Sequence, residues 1–331
     1  MMMCRSGRRL PAIAVAALLM GSGVAAAEEM VLAHGANPGN PRSDAAEMFA
    51  ELVERYSGGE VTVNVAGAAS LGDDAEMIQS VKVGTIQMTA NSQGAFSQVV
   101  PEVATLGLPF LFNELPDAWV TLDGPVGAEL SARAEKKGFV IVGWWDNGVR
   151  HITTVKGPIK APADVEGLKI RTPPDPMTLD IFKALGANPA PLAWSELPTA
   201  LKTGSFEAQE NPLTNIHSAK LHEITTHISL TGHKYEGTPL IANASWWNGL
   251  SEANRDAIGR AVAEAGWYQR GRNLIDNERL VAVIKQEGGT FQEVDKQPFV
   301  DATSSVYESW KGKFPDFVAL LTKEAMAAKA Q

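Results

Sequence analysis

Two hydrophobic patterns divide the chain near residue 28. Ala12 to Met20 is an unbroken apolar run, preceded by Arg5, Arg8 and Arg9 and followed by Ala25-Ala26-Ala27. The run is too short to anchor in a bilayer, so it predicts a cleaved export signal over 1–27 and a mature chain from Glu28. Beyond it, strand-like and helix-like stretches alternate, which predicts α/β architecture. Met30 to Ala33 and Val61 to Val65 read as strands. Between them, Ser43 is expected to cap a helix with Ala46, Phe49 and Val53 on one stripe, ending near Gly58-Gly59. Asp73 and Glu76 have capping-box spacing ahead of a helix that stops at Gly84, and Ile86 to Ala90 follows as a strand. This βαβαβ order predicts parallel strands with right-handed crossovers.

The second half repeats the pattern. Phe139 to Trp145 reads as a buried strand, and Leu168 to Arg171 as another, stopped by Pro173 and Pro174. A helix over 177–185 ends at Gly186. Ser195 is expected to cap a short helix ending at Gly204, and Asn211 and Pro212 suit the N-cap and N1 positions of the next. Two longer features predict lobes joined by more than one crossing. His227 to Ser245 is extended. Ser251 to Glu287 contains no proline and predicts a helix of roughly 50 Å, long enough to bridge both lobes. The expected division is 28–148 with 237–276 as lobe I and 149–236 with 277–331 as lobe II, with a ligand cleft between.

Composition narrows the chemistry. The whole chain has 29 Lys+Arg and 38 Asp+Glu. Loss of the three signal arginines leaves 26 basic against 38 acidic residues, a net charge of −12. That balance argues against nucleic acid and anionic membrane surfaces as partners. An acidic small ligand would need a local positive cluster. The single cysteine, Cys4, falls in the signal, so the mature chain offers no disulfide, cysteine metal ligand or cysteine nucleophile. His222 and His227 are five apart and rotated by about 140° on a helix, against the four-residue spacing of a zinc-protease helix. No nucleophile elbow or phosphate-binding glycine loop occurs in the mature chain. No cofactor or metal is expected.

Two arginines are expected at strand ends, where open α/β sheets bind ligands. Arg150 follows the strand-turn Trp144-Trp145-Asp146-Asn147-Gly148, and Arg171 closes Gly167-Leu-Lys-Ile-Arg171. Each reads either as an anion anchor, through the guanidinium fork, or as a surface residue paired with a nearby acid.

The ordered motifs resemble the DctP-type solute-binding proteins of tripartite ATP-independent periplasmic (TRAP) transporters. They include Leu71-Gly72, Leu108-Pro109-Phe110, Trp145-Asp-Asn-Gly-Val-Arg150, Gly167-Leu-Lys-Ile-Arg171, Leu185-Gly186-Ala187, Thr203-Gly204 and Gln209-Glu-Asn-Pro212, within about Met30 to Trp310. The resemblance implies a two-lobed, type II-like periplasmic-binding-protein fold. It implies that Arg171 forms the main salt bridge to a ligand carboxylate and that Arg150 contacts the same group or a polar neighbour. It further implies that Asn211 orients the ligand, that Trp194 packs over it, and that Asn37, Ser92 and Gln93 read its remainder from lobe I. Trp145, His34 and His233 are further candidates for the cleft wall; otherwise they are core residues. Glu207-Ala208 stands where the family often has Asp-Gly, and Pro174 where some sialate-binding members have a polar residue. The implied ligand is a sugar acid or a C4-dicarboxylate, the implied partner a membrane permease, and the expected state a periplasmic monomer. A binding component of another transporter or a sensor, and a periplasmic enzyme acting on an organic acid, are the competing readings.

Overall fold

The computed structural model describes residues 27–112 and 114–330. The expected signal lies outside them, apart from Ala27. In chain order the elements are β1 (Glu28–Ala33), α1 (Pro41–Tyr56), β2 (Val61–Ala66), α2 (Asp74–Val83), β3 (Met88–Ala90), α3 (Gln93–Phe96), α4 (Leu115–Asp123), α5 (Pro125–Glu135) and β4 (Phe139–Thr154). There follow β5 (Lys169–Thr172), α6 (Pro176–Ala184), β6 (Asn188–Pro191), α7 (Leu197–Lys202), β7 (Ala208–Asn211), α8 (Leu213–Ser218) and β8 (His227–Asn243). The chain ends with α9 (Ala244–Gly249), α10 (Glu252–Gln286), β9 (Thr290–Gln292), α11 (Gln297–Lys313) and α12 (Pro315–Ala328).

The strands form one sheet in the order β2-β1-β3-β8-β4-β7-β5-β6, with β9 beside β8. β1 is parallel to β2 and β3, as the βαβαβ opening predicted. The N-terminal half of β4 pairs with the C-terminal half of β8, next to β3. Its C-terminal half pairs with β7 and with the start of β8. These two long antiparallel strands therefore run through both lobes.

Between the pairs Asp146↔Gly237 and Gly148↔Glu236, the β4–β8 register slips by one residue. Such a bulge bends a strand and leaves backbone groups unpaired. Gly148 takes φ +115° there, a conformation L side chains rarely adopt, and an added Cβ would sit 3.3 Å from Pro212 Cβ. The freed backbone of Asp146 is claimed by α10: Gln269 accepts from its N–H at 2.8 Å and donates to its carbonyl at 2.6 Å. Gly148→Ala is expected to destabilise the unliganded protein by about 1–3 kcal/mol, read as a lower thermal midpoint.

α10 bridges as expected. Its first half buries Ile258, Ala261, Val262 and Ala265 in a core with Phe49 and Val53 of α1. Its last turns bury Leu280 and Ile284 against Leu213 and Ile216 of α8. Ser251 caps it, accepting from Asn254 N–H.

Several boundaries differ from the sequence reading. Asn40, not Ser43, caps α1, because Pro41 fixes the first helical position and the Asn40 side-chain Oδ1 accepts from Arg42 N–H. Arg150 lies inside β4 rather than after it, since the strand continues through the bulge to Thr154. Asn211 ends β7 and Pro212 precedes α8, so Asn211 spends its side chain elsewhere than on a helix cap. α7 starts at Leu197, two residues after Ser195. α12 packs Phe317, Val318 and Leu321 into a core shared with α4 and α5.

Candidate functional site

Strand ends and crossing strands converge on one cavity. Asn37 follows β1, Arg42 stands in the first turn of α1, Asp74 opens α2 and Ser92 follows β3. From the opposite side come Arg171 of β5, Trp194 in the turn before α7, Asn211 of β7 and Asn215 of α8. The crossing strands supply Asn147 and Arg150 of β4 and Glu236 of β8. Side-chain bonds join the mouth: Asp73 accepts from Ser195 N–H at 3.1 Å and from its hydroxyl at 2.5 Å, and Asn40 donates to Asn215 at 2.9 Å.

Of the three arginines, Arg150 differs sharply from the other two. Arg150 is saturated. Its Nε donates to Glu210 Oε2 at 2.5 Å, its Nη2 to Glu210 Oε1 at 2.7 Å and Asn211 Oδ1 at 3.1 Å, and its Nη1 to Glu236. Burial opposes its charge, but the two carboxylates outweigh burial and hold the guanidinium above its ordinary range. Burial would likewise raise Glu210, yet Arg150 and His233 hold that carboxyl at about 2.

Arg171 is 2 % exposed and has no ion-pair partner among the described residues. Its Nε and Nη2 both donate to the Leu192 carbonyl, at 3.0 and 2.7 Å. Its Nη1 donates to none of the described residues. Burial pushes its guanidinium down to about 10, with the more distant Glu210 opposing, so it stays charged at neutral pH. An uncompensated buried charge is costly, and such a group persists where a partner is to be supplied. Arg42 is similar: Nη2 donates to Asn147 Oδ1 at 2.7 Å and Nη1 weakly to the Ala90 carbonyl, with no carboxylate of the described residues at ion-pairing distance.

Six of the residues singled out in the sequence line this cavity: Arg171, Arg150, Asn211, Trp194, Asn37 and Ser92. Four do not. Gln93 clamps β8, accepting from Gly237 N–H at 2.7 Å. Trp145 packs in the core and donates to the Val262 carbonyl at 3.0 Å, where Gly266 lets α10 approach. His34 lies under Gly67 and accepts from Ala36 N–H, and burial followed by Arg42 pushes it down to about 4. His233 sits behind Arg150, 3.2 Å from Glu210, and burial lowers it also. Arg42, Asp74, Asn147, Asn215, Ser218 and Glu236 are lining residues the sequence reading missed. Arg42 carried a signal: a cation in the first turn opposes the helix dipole and needs another reason to be there.

Residues 32–313 match the family described as bacterial extracellular solute-binding protein, family 7, or DctP. The chain belongs to this family. A relative from Escherichia coli, the 2,3-diketo-L-gulonate-binding periplasmic protein, is 36 % identical over 259 residues, 78 % of this chain and 79 % of the relative. An uncharacterised protein of Sinorhizobium fredii is 50 % identical over 281 residues, 85 % of this chain; the chain spans only 52 % of that relative's length. A solved sugar acid binding protein from Advenella mimigardefordensis, in complex with galactonate, superposes with a TM-score of 0.89 at 30 % identity, covering 91 % of this chain and 99 % of that one. DctP members are the solute-binding subunits of TRAP transporters, and two-lobed structures are their shared fold. No helix among the described residues is long and apolar enough to cross a membrane.

Proposed function

We propose that this chain is a periplasmic receptor that captures a small organic acid between its lobes and delivers it to a membrane permease. The observation that carries the reading is Arg171: buried, charged, without an acid partner, and lining the cavity with one nitrogen unused. A ligand carboxylate completes it. An exposed ion pair contributes about 0–1 kcal/mol, whereas micromolar capture needs about −8 kcal/mol. Enclosure makes up the difference. Asn211 and Asn215 offer amide contacts, Trp194 an aromatic face, and closing lobes exclude water. β4, β8 and α10 are the crossings about which the lobes close, dividing the chain near Gly148 and Glu236. Export with cleavage before Glu28, action as a monomer, and binding without chemical conversion of the ligand complete the reading.

The test is a thermal-shift screen of purified protein against aldonates, uronates, keto acids and dicarboxylates, followed by calorimetry and product analysis. One-to-one binding that raises the thermal midpoint, with the acid recovered unchanged, is expected. Steady conversion of the acid would replace the receptor reading with an enzymatic one.

A further inference from the structure

Arg42 and Asp74 line the same cavity wall from the starts of α1 and α2. Each is the other's strongest electrostatic partner among charged groups, yet they do not reach ion-pairing distance. Ser92 serves the Asp74 carboxyl, its N–H donating to Oδ2 at 3.2 Å and its side chain adding to the bond, while no donor of Arg42 reaches either oxygen. Arg42 Nε likewise has no acceptor. The pair is therefore split, with a carboxylate held by Ser92 on one side and an unfinished donor set on the other.

A hydroxyl donates and accepts at once, so it bridges a carboxylate and a guanidinium that do not touch. A second ligand carboxylate could only accept, and would meet Asp74 head-on. Glu236, on the neighbouring strand, adds to that opposition: its Oε1 is buried without a donor. Charge counting agrees. Arg42, Arg150 and Arg171 stand near Asp74, Glu210 and Glu236, three charges of each sign, so the set is neutral as a whole although Arg171 itself touches no acid. One ligand carboxylate against Arg171 leaves a single excess negative charge in a largely buried site, whereas a dicarboxylate leaves two.

We propose that Arg42 and Asp74 form a hydroxyl-reading subsite, making the ligand a hydroxylated monocarboxylic acid and excluding dicarboxylates. This rests on the reading that Arg171 holds the carboxylate. Burial of Asp74, which pushes its carboxyl upward against the pull of Arg42, further suits a contact in which it accepts from neutral donors.

The test is calorimetry of wild type, Arg42→Met, Arg42→Lys, Asp74→Asn and Arg171→Ala with galactonate, glucuronate and succinate as probes, with thermal melts to establish folding. Wild type is expected to bind one of the hydroxylated acids at least tenfold more tightly than succinate. Arg42→Met should lose at least tenfold for that acid. Asp74→Asn should lose a similar factor for it while gaining for succinate, collapsing the preference. Arg42→Lys should recover part of the loss if charge matters beyond packing. Wild type binding succinate as tightly as the hydroxylated acids, or variants weakening all three acids by one common factor, would overturn the subsite. Retained binding in Arg171→Ala, or binding of none of the probes by wild type, would overturn the anchor reading itself.

Discussion

Replacing Arg171 by alanine is expected to weaken acid binding by about a hundredfold or more while leaving the unliganded fold intact. Truncating one partner of a buried, hydrogen-bonded charge pair typically costs about 2–5 kcal/mol of binding. The complementary effect on stability separates this residue from ordinary core. Without ligand, Arg171 holds an unpaired charge out of water with one carbonyl, Leu192, as acceptor. Arg171→Met, of similar volume, should therefore leave the unliganded thermal midpoint unchanged or raised, because the desolvation cost of the charge disappears. Calorimetry and thermal unfolding on the same preparation check both halves. A variant that binds normally, or one that fails to fold, contradicts the assignment.

Arg150→Met is expected to do the opposite: to destabilise the fold by about 3–5 kcal/mol, because Glu210 and Glu236 are then left buried without their guanidinium. The pH dependence gives the sign. In the wild type, Glu210 is depressed to about 2, below its unfolded value. It contributes stability at neutral pH that is lost only as the pH falls below the unfolded value toward about 2. In the variant, burial dominates and the orphaned carboxyls rise above their unfolded values. Their cost then grows as pH rises, so the variant should become more stable on going from about pH 7 to about pH 5. Urea unfolding of both proteins across that range checks it. Equal pH profiles would contradict the role given to Arg150 as the counter-charge of the strand crossing.

These two arginines also show what was legible in the chain. Local signals translated directly. Glu76 accepts from Asp73 N–H as the capping spacing predicts, although the Asp73 carboxylate turns to Ser195, and α10 follows from an uninterrupted helical stretch begun by Ser251. Arg171, near the end of a short strand, is in the cavity as a strand-end residue should be. What failed depends on pairing between distant segments. Arg150 is neutralised by residues 60 and 86 positions away, brought beside it by β7 and β8, and no local pattern encodes that pairing. Side-chain direction along β4 was equally hidden. Three register shifts break its alternation, so Trp145 turns to α10 while Asn147 and Arg150 reach the cavity. His34 and Gln93 were close in sequence to lining residues, but their side chains serve the backbone instead. The α1 cap was misplaced although Asn40-Pro41 carried the stronger signal, a capping side chain directly before a proline at N1.

The most direct measurement is a crystal structure of the protein with the tightest-binding acid from the screen. The account predicts its carboxylate within hydrogen-bonding distance of the Arg171 guanidinium, beneath Trp194, in the closed cleft. Ligand density outside that cavity, or an acid whose carboxylate points away from Arg171, would contradict it.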